Sequence, residues 1–420
     1  MENLPDKADP YAAWRQGPFR LFISGRAIFL IGTQMQNAAV GWEVYERLGT
    51  KLALAYVGLV QILPVFFLTL PAGHLADRAD RKKILLSAIA LYLSCSVGLA
   101  WVSWKAASPF LIYTLLFFLA VARAFAMPAM GSLLPNLLPR KVWGNAATWN
   151  STVFELTGLV GPALGGFLIA ASGHATVVYA FAACSGVACF SLFQFLPSVR
   201  PEGPPKAATW RSLGEGLRFM FRTRILLAAA SLDLFAMFLG GAVALLPVVA
   251  KDILHVGPHG FGWLRAAPSI GAMAMAFCTA HLPPWRKAGR VLFGAFIGFG
   301  AAMIVFGLSH SFWLSFSMLV LTGLFDNLNV VIRQTLIQFI TPDSMRGRVT
   351  SVNFLFIGLS NELGEFESGL TAQWLGTAPA IVLGGIGTVL VALLVMRLSP
   401  PLRRLGPLHE VKTAPAMEGI

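Results

Sequence analysis

The sequence predicts an all-α membrane protein, with twelve transmembrane helices arranged as two pseudo-symmetric six-helix bundles. Three observations predict it. Of 420 residues, 56% are apolar and only 12% are charged, with a mean hydropathy of +0.69, whereas a soluble protein carries about 25% charged residues. Twelve apolar runs each reach the roughly 20 residues that a bilayer span requires. The basic residues, finally, fall almost entirely on one side of those runs.

In chain order the runs are 20–46, 52–76, 84–104, 109–136, 143–171 and 175–197, then 223–250, 260–281, 290–309, 312–340, 347–374 and 377–398. Interior prolines such as Pro64, Pro128, Pro162 and Pro247 are compatible with this reading, because Gly and Pro are commoner in membrane helices than in soluble ones. With a cytoplasmic N-terminus, the inner segments hold 24 Lys and Arg, while the outer loops hold only Arg47, Lys51, Lys105 and Lys251. Both termini are therefore expected in the cytoplasm. A net charge of +13 invites a nucleic-acid partner, but it is spread over seven inner segments, so none is expected. Residues 1–19 lack a short apolar core with a small-residue cleavage site, which argues against a cleaved signal peptide. Cys95, Cys184, Cys189 and Cys278 lie inside apolar runs without metal-ligand spacing and read as small hydrophobes.

The polar stretch 198–222 separates bundles at 20–197 and 223–398, leaving tails at 1–19 and 399–420. Within it Trp210, Leu213, Leu217 and Met220 recur at helical spacing among arginines, as in an amphipathic helix on the inner membrane face. A repeat supports the division: Pro139, Gly144, Asn150 and Gly161 recur 203 residues later as Pro342, Gly347, Asn353 and Gly364. Transporters built from such repeats place the substrate site between the halves near the bilayer midplane.

Between the second and third runs lies Gly73-His74-Leu75-Ala76-Asp77-Arg78-Ala79-Asp80-Arg81-Lys82-Lys83, with six charges in its last seven positions. It resembles the G-x-x-x-D-R-x-x-R-K signature of the major facilitator superfamily, with Asp80 where that family usually has Gly. Gly158-x-x-Gly161-Pro162-Ala163-Leu164-Gly165-Gly166 resembles the helix 5 signature of exporters in the superfamily, and Arg123 matches its helix 4 arginine without the Gln and Gly that often follow. Met127-Pro128 and Pro135-x-x-x-Pro139 follow instead, and that arrangement, with Gly214–Arg218 and Arg346-Gly347-Arg348, looks like the bacterial exporter branch that includes enterobactin exporters. The resemblance implies a bacterial inner-membrane location and export of siderophores or drug-like amphiphiles. It also implies a conformational gate of Gly73, Asp77, Arg78, Arg81, Gly161, Pro162 and Arg346, in which Asp77 meets the N-terminal end of helix 11.

Charges inside the spans are costly, about 2.5–3.5 kcal/mol each at mid-bilayer, so each needs a reason. The bases are Arg26, Arg123, Arg265 and Arg333; the acids are Glu155, Asp233, Asp326, Glu362, Glu365 and Glu367. At least two acids lack a basic partner, as a proton-coupled antiporter requires. In the tenth run Asp326, Asn329 and Arg333 share a face, and in the first run Arg26, Thr33 and Asn37 do, with Gln34 beside them. Helices 1, 4, 7 and 10 line the cavity of the resembled family, which makes Arg26, Gln34, Asn37, Arg123, Asn329 and Arg333 candidates for a substrate chamber. Asp326 and Arg333 also fit a purely structural ion pair. Where the first half has Gly161-Pro162-Ala163-Leu164-Gly165-Gly166, the second has Gly364-Glu365-Phe366-Glu367-Ser368-Gly369. Glu362 and Glu365 are i, i+3 neighbours in the outer half of their span, read either as proton carriers or as a structural network to Arg265. Asp233 and Asp326 complete the proton-coupling candidates.

The expectation is a secondary active transporter that exports a small amphipathic molecule in exchange for protons, as a monomer without cofactor or metal. A lipid flippase or facilitated carrier on the same fold, and a non-transporting scaffold or sensor, are the alternatives. No P-loop and no nucleophile or metal constellation points to an enzyme.

Overall fold

The computed structural model describes residues 9–76, 79–198, 210–281 and 285–408, and every regular element among them is helical. The first bundle comprises α1 (Gly17–Leu48), α2 (Lys51–Ala76), α3 (Arg81–Trp104), α4 (Pro109–Asn136), α5 (Trp143–Ser172) and α6 (Thr176–Gln194). The second comprises α7 (Arg224–Gly240 and the turns that follow it), α8 (Gly257–His281), α9 (Ala288–Leu308), α10 (Phe312–Ile340), α11 (Asp343–Leu375) and α12 (Thr377–Leu398). Nine of these spans are long and apolar enough to cross a membrane on length and composition alone, among the described residues. The other three, α1, α8 and α11, have their apolar runs interrupted by polar groups such as Arg26, Gln34 and Asn37, by Arg265, and by Glu362, Glu365 and Glu367.

Span seven departs from the continuous helix expected over 223–250. The α-helix stops at Gly240, and the chain continues as a 3₁₀ turn (Ala242–Leu245), one α-helical turn and a π-turn (Val249–Ile253). Two causes are visible. A Cβ at Gly241 would lie 3.1 Å from the Gly364 backbone of α11, and Pro247 has no N–H to give an i−4 carbonyl. Such breaks are tolerated in membranes where protein buries the backbone, and Leu245, Leu246, Val248 and Val249 are all buried.

Within the first bundle α1 packs on α5 and α6, α2 on α4, and α3 on α4 and α6; within the second α8 packs on α10, α9 on α10 and α12, and α7 on α11 and α12. The halves meet along α2–α11 and α5–α8. Glycines set how closely: a Cβ on Gly262 of α8 would sit 2.7 Å from the Pro162 carbonyl and 3.0 Å from the Gly166 Cα of α5. On the other seam, Gly58 of α2 faces the Glu362 carbonyl and Gly369 of α11 faces Ala55. The repeat is visible in this packing, since Gly161 rests against Gln34 of α1 and Gly364 against Met237 of α7, both partners also 203 positions apart.

These contacts share one end of the molecule, opposite the described ends of the chain; we call it the far end and its opposite the terminal end. One apolar core at the far end draws residues from both halves, including Trp42, Leu54, Tyr179, Leu245, Phe261 and Ile381. At the terminal end the cores are separate, one around Phe19, Leu85 and Leu133 and the other around Phe219, Leu292 and Leu336. Side chains added at Gly73 of α2 or Gly347 of α11, both at the terminal end, would meet open space.

The linker helix Trp210–Arg222 docks on the second bundle, burying Phe219 and Met220 while Leu217 and Phe221 stay exposed. Glu215 pairs with Arg348 at 2.5 Å, and Gly216 lies against the Arg348 backbone. The expected helix therefore has a protein-facing side as well as an exposed one. Asp80 has a local role: it is the N-cap of α3, accepting from the Lys82 amide at 2.9 Å and from Ser198 Oγ at 2.5 Å. Lys82 in turn donates to the Gln194 and Leu196 carbonyls, so this junction ties α3 to the end of α6. Burial pushes the Asp80 carboxyl up, but the Ser198 hydroxyl, the Lys82 and Lys83 amides and the Lys83 charge outweigh it and hold it below the usual carboxylate range.

Asp80→Ala is expected to lower stability by about 1 kcal/mol, read as an earlier thermal unfolding of purified protein, with Asp80→Asn close to the parent. Because the folded-state value is depressed, the contribution of Asp80 is present above about pH 3.9 and fades as pH falls through the lower folded value. Gly262→Val drives a side chain into the α5 backbone and is expected to destabilise by about 1–3 kcal/mol in the same assay.

Candidate functional site

A small cavity of about 70 Å³, room for about two waters, lies between the halves just inside the far end. The first bundle contributes Asn37 (α1), Gln61 (α2) and Arg123 (α4); the second contributes Arg265 (α8), Glu362 and Glu365 (α11). Arg123 Nη2 donates to Glu362 Oε1 in an ion pair that joins the two halves. Glu365 and Arg265 make no direct ion pair among the described residues, although the charges of Arg265 and Arg123 both act on Glu365. The sequence set a network to Arg265 beside the proton-carrier reading; the direct bond is made by Glu362 with Arg123 of α4 instead. Two cations and two carboxylates thus face one space between the halves, with one ion pair made and one cation and one anion outside it.

A second polar cluster is buried inside the second bundle. Arg333 of α10 pairs with Asp233 of α7 at 3.2 Å and donates to Asn353 Oδ1 of α11 at 2.6 Å, while Asn329 donates to Asp233 Oδ1 at 2.6 Å. Arg333 is 3% and Asp233 4% exposed. The structure thus corrects the expected Arg333–Asp326 ion pair: the two share a helix face but stand seven residues, about 10 Å, apart along it. Asp233 comes from α7 and takes the bond. Asp326 makes no ion pair among the described residues; the charges of Asp233, Arg333 and Glu155 act on it. Glu155 stands one turn towards the terminal end from Gly158, and Asp326 one turn in the same direction from Gly323. Those glycines pack on Ser269 and Pro268 of α8, so an acid from each half flanks α8 at one level.

The remaining candidates are dispersed. Arg26 Nη1 contacts Met130 Sδ at 3.1 Å, and its Nε has no partner. Thr33 returns its hydroxyl to its own helix at the Phe29 carbonyl, and Gln34 is packed against Gly158 and Gly161. Glu367 accepts from Thr371 at 2.7 Å, away from Glu365. Of the gate residues, Asp77 and Arg78 lie outside the described residues. Arg81 donates to the Ser132 carbonyl and Arg346 to the Gln338 carbonyl, each within its own half. Gly161 and Pro162 belong to the far-end seam, distant from Arg346 at the start of α11.

Sequence reasoning missed the polar contacts that close the far end. The Tyr45 hydroxyl of α1 donates to Asp252 in the π-turn of the second half, and the Leu52 amide to Gln373 of α11 at 3.4 Å. Glu43 is buried, bonded by Tyr179 at 2.7 Å and paired with Arg47 at 3.0 Å. The Glu43–Arg47 spacing of i, i+4 was the available signal. Nothing in the sequence marks Tyr45 and Asp252 as partners.

The repeat offset sharpens the picture, because 326 − 123 is also 203: Arg123 of α4 and Asp326 of α10 occupy matching positions with opposite charge. In sequence comparisons, a family model described as "transmembrane secretion effector" matches residues 8–411. The enterobactin exporter EntS of Citrobacter koseri is 27% identical over 391 residues, covering 92% of this chain and 92% of that protein. The multidrug efflux pump Tap of Mycobacterium tuberculosis is 26% identical over 407 residues, covering 93% and 95%. Among solved structures, a bacterial homologue of the human lysosomal transporter Spinster, in an inward-facing and occupied conformation, superposes with a TM-score of 0.70 at 15% identity over 94% of this chain and 99% of that one. The nucleoside transporter NupG superposes with a TM-score of 0.67 at 13% identity, covering 91% and 99%. A family match across nearly the whole length, on a fold of two six-helix bundles, makes this chain a member of the transmembrane secretion effector family, a group of membrane transporters within the major facilitator superfamily.

Proposed function

We propose that this protein is a proton-coupled exporter of a small amphipathic compound, working by alternating access in a bacterial inner membrane with both termini cytoplasmic. The observation that carries the reading is Glu365, a carboxylate without a direct ion pair on the wall of the cavity between the halves. Such a group can take up and release a proton where the pathway opens and closes. Asp326, likewise without an ion pair, is a second carrier; Asp233, tied to Arg333 and Asn329, is the least free of the four acids. The EntS and Tap relatives favour a siderophore or drug-like cargo.

The positive-inside distribution makes the terminal end cytoplasmic. With the cores joined at the far end and separate at the terminal end, the conformation is then inward-facing. The moving bodies are 20–197 and 223–398, linked by 198–222 and flanked by tails at 1–19 and 399–420. The pathway lies between the halves of one chain, so the reading needs no second copy, cofactor or nucleic acid. In the closed state of the terminal end, Gly73, Asp77, Arg78 and Arg81 meet the start of α11 near Arg346. Each entering proton yields about 2.3 kcal/mol per 100 mV, enough for roughly fiftyfold accumulation.

Reconstitution in proteoliposomes with an imposed pH gradient, against a panel of siderophores, drugs and lipids, tests the reading. Glu365→Gln is expected to lose gradient-driven accumulation, about fiftyfold at 100 mV, while substrate counterflow continues. Undiminished pH-driven transport by this variant would remove the carrier role, and transport by the parent that ignores the gradient would point to a facilitated carrier.

A further inference from the structure

We infer that the Arg123–Glu362 ion pair is a latch that holds the far end shut while Glu362 is ionised, so that protonating Glu362 releases it. The inference rests on the reading that the α11 carboxylates exchange protons, and it adds where that exchange moves the protein.

Position carries the argument. Arg123 belongs to α4 and Glu362 to α11, so the bond spans the two halves. Gly58 of α2 lies against the Glu362 carbonyl, 2.8 Å from where its Cβ would stand. The α2–α11 seam therefore fixes the height and closeness of Glu362 to the first bundle, and the halves cannot part there without pulling Glu362 from Arg123. The Asp233–Arg333 pair is internal to one bundle and can survive a rigid-body motion; the Arg123–Glu362 pair cannot.

Charge gives the direction. The groups facing Glu362 around the cavity are Asn37 of α1 and Gln61 of α2, both neutral, Arg123 of α4, Arg265 of α8 and Glu365 of its own helix, while α7 contributes apolar Ala244 and Pro247. With both carboxylates ionised, two anions balance two cations. Adding a proton to Glu362 breaks the pair and leaves Arg123 and Arg265 sharing one anion, an arrangement that favours separation of the halves and entry of water. Loss of the proton towards the terminal side re-forms the pair. The empty, ionised carrier then waits with its far end closed until cargo or a proton arrives, which suppresses an idle return.

Double electron–electron resonance in nanodiscs tests this, with nitroxides at Lys105→Cys and His310→Cys in an otherwise cysteine-free chain. These residues lie in far-end loops of opposite halves, and both are exposed. The parent is expected to give mainly short distances in neutral buffer and to shift to long ones on acidification. Glu362→Gln and Arg123→Gln should each show the long distances in both buffers, and the exchanged pair Arg123→Glu with Glu362→Arg should restore the short ones in neutral buffer. Retention of the parental distances and pH response by either single variant overturns the latch. If a single variant fails to fold, a parent or exchanged pair that does not lengthen on acidification does so as well. Glu365→Gln separates the two readings: it is expected to keep the short distances in neutral buffer while losing gradient-driven transport. If it loses that transport while Glu362→Gln stays closed, proton coupling stands and the latch falls; if it keeps that transport while Glu362→Gln opens, the latch stands without the carrier.

Discussion

A charge held away from water is costly unless it is partnered, and in this chain several of the partners come from different helices. Asp233 and Arg333 join α7 to α10, with Asn353 drawing in α11. Glu43 and Tyr179 join α1 to α6. Arg123 and Glu362 join α4 to α11 and, with them, one half of the molecule to the other. The last bond, like that of Tyr45 with Asp252, depends on how the halves are placed. It forms because glycines let α2 approach α11 and α5 approach α8 closely enough for the facing polar groups to share one small cavity. Small residues set the distance, and the distance selects the partners.

Much of the fold was legible because lipid imposes a simple rule: apolar runs of sufficient length become helices. Even α11, with its three glutamates, was visible from the length of its run. What escaped was whatever two distant segments decide together. The break after Gly240 follows from the approach of Gly364, which lies 124 residues away from it in the chain. Periodicity along α10 marks a polar stripe but says nothing of what another helix brings to it, and Asp233 of α7, not Asp326, is the partner of Arg333. Arg123 and Glu362 were both singled out as costly charges, but no spacing rule connects residues 239 apart in sequence. Asp80 was legible in principle. An Asp immediately before a helical run is an N-cap signal, and its departure from the family motif drew attention to the gate instead.

The repeat explains why the two ends of the molecule need not behave alike. Its offset of 203 maps Gly161 on Gln34 to Gly364 on Met237, so the two halves pack by the same rule. The charges do not follow that rule. Arg123 of the first half becomes Asp326 in the second, and the sequence Gly-Pro-Ala-Leu-Gly-Gly becomes one that carries Glu365 and Glu367. At the far end the halves therefore meet through opposite charges, Arg123 and Glu362. Towards the terminal end, Asp326 of one half and Glu155 of the other flank α8, and like charges raise the free energy of any arrangement that brings them together. A symmetric scaffold with antisymmetric charges thus distinguishes two ends that the helices alone would make alike.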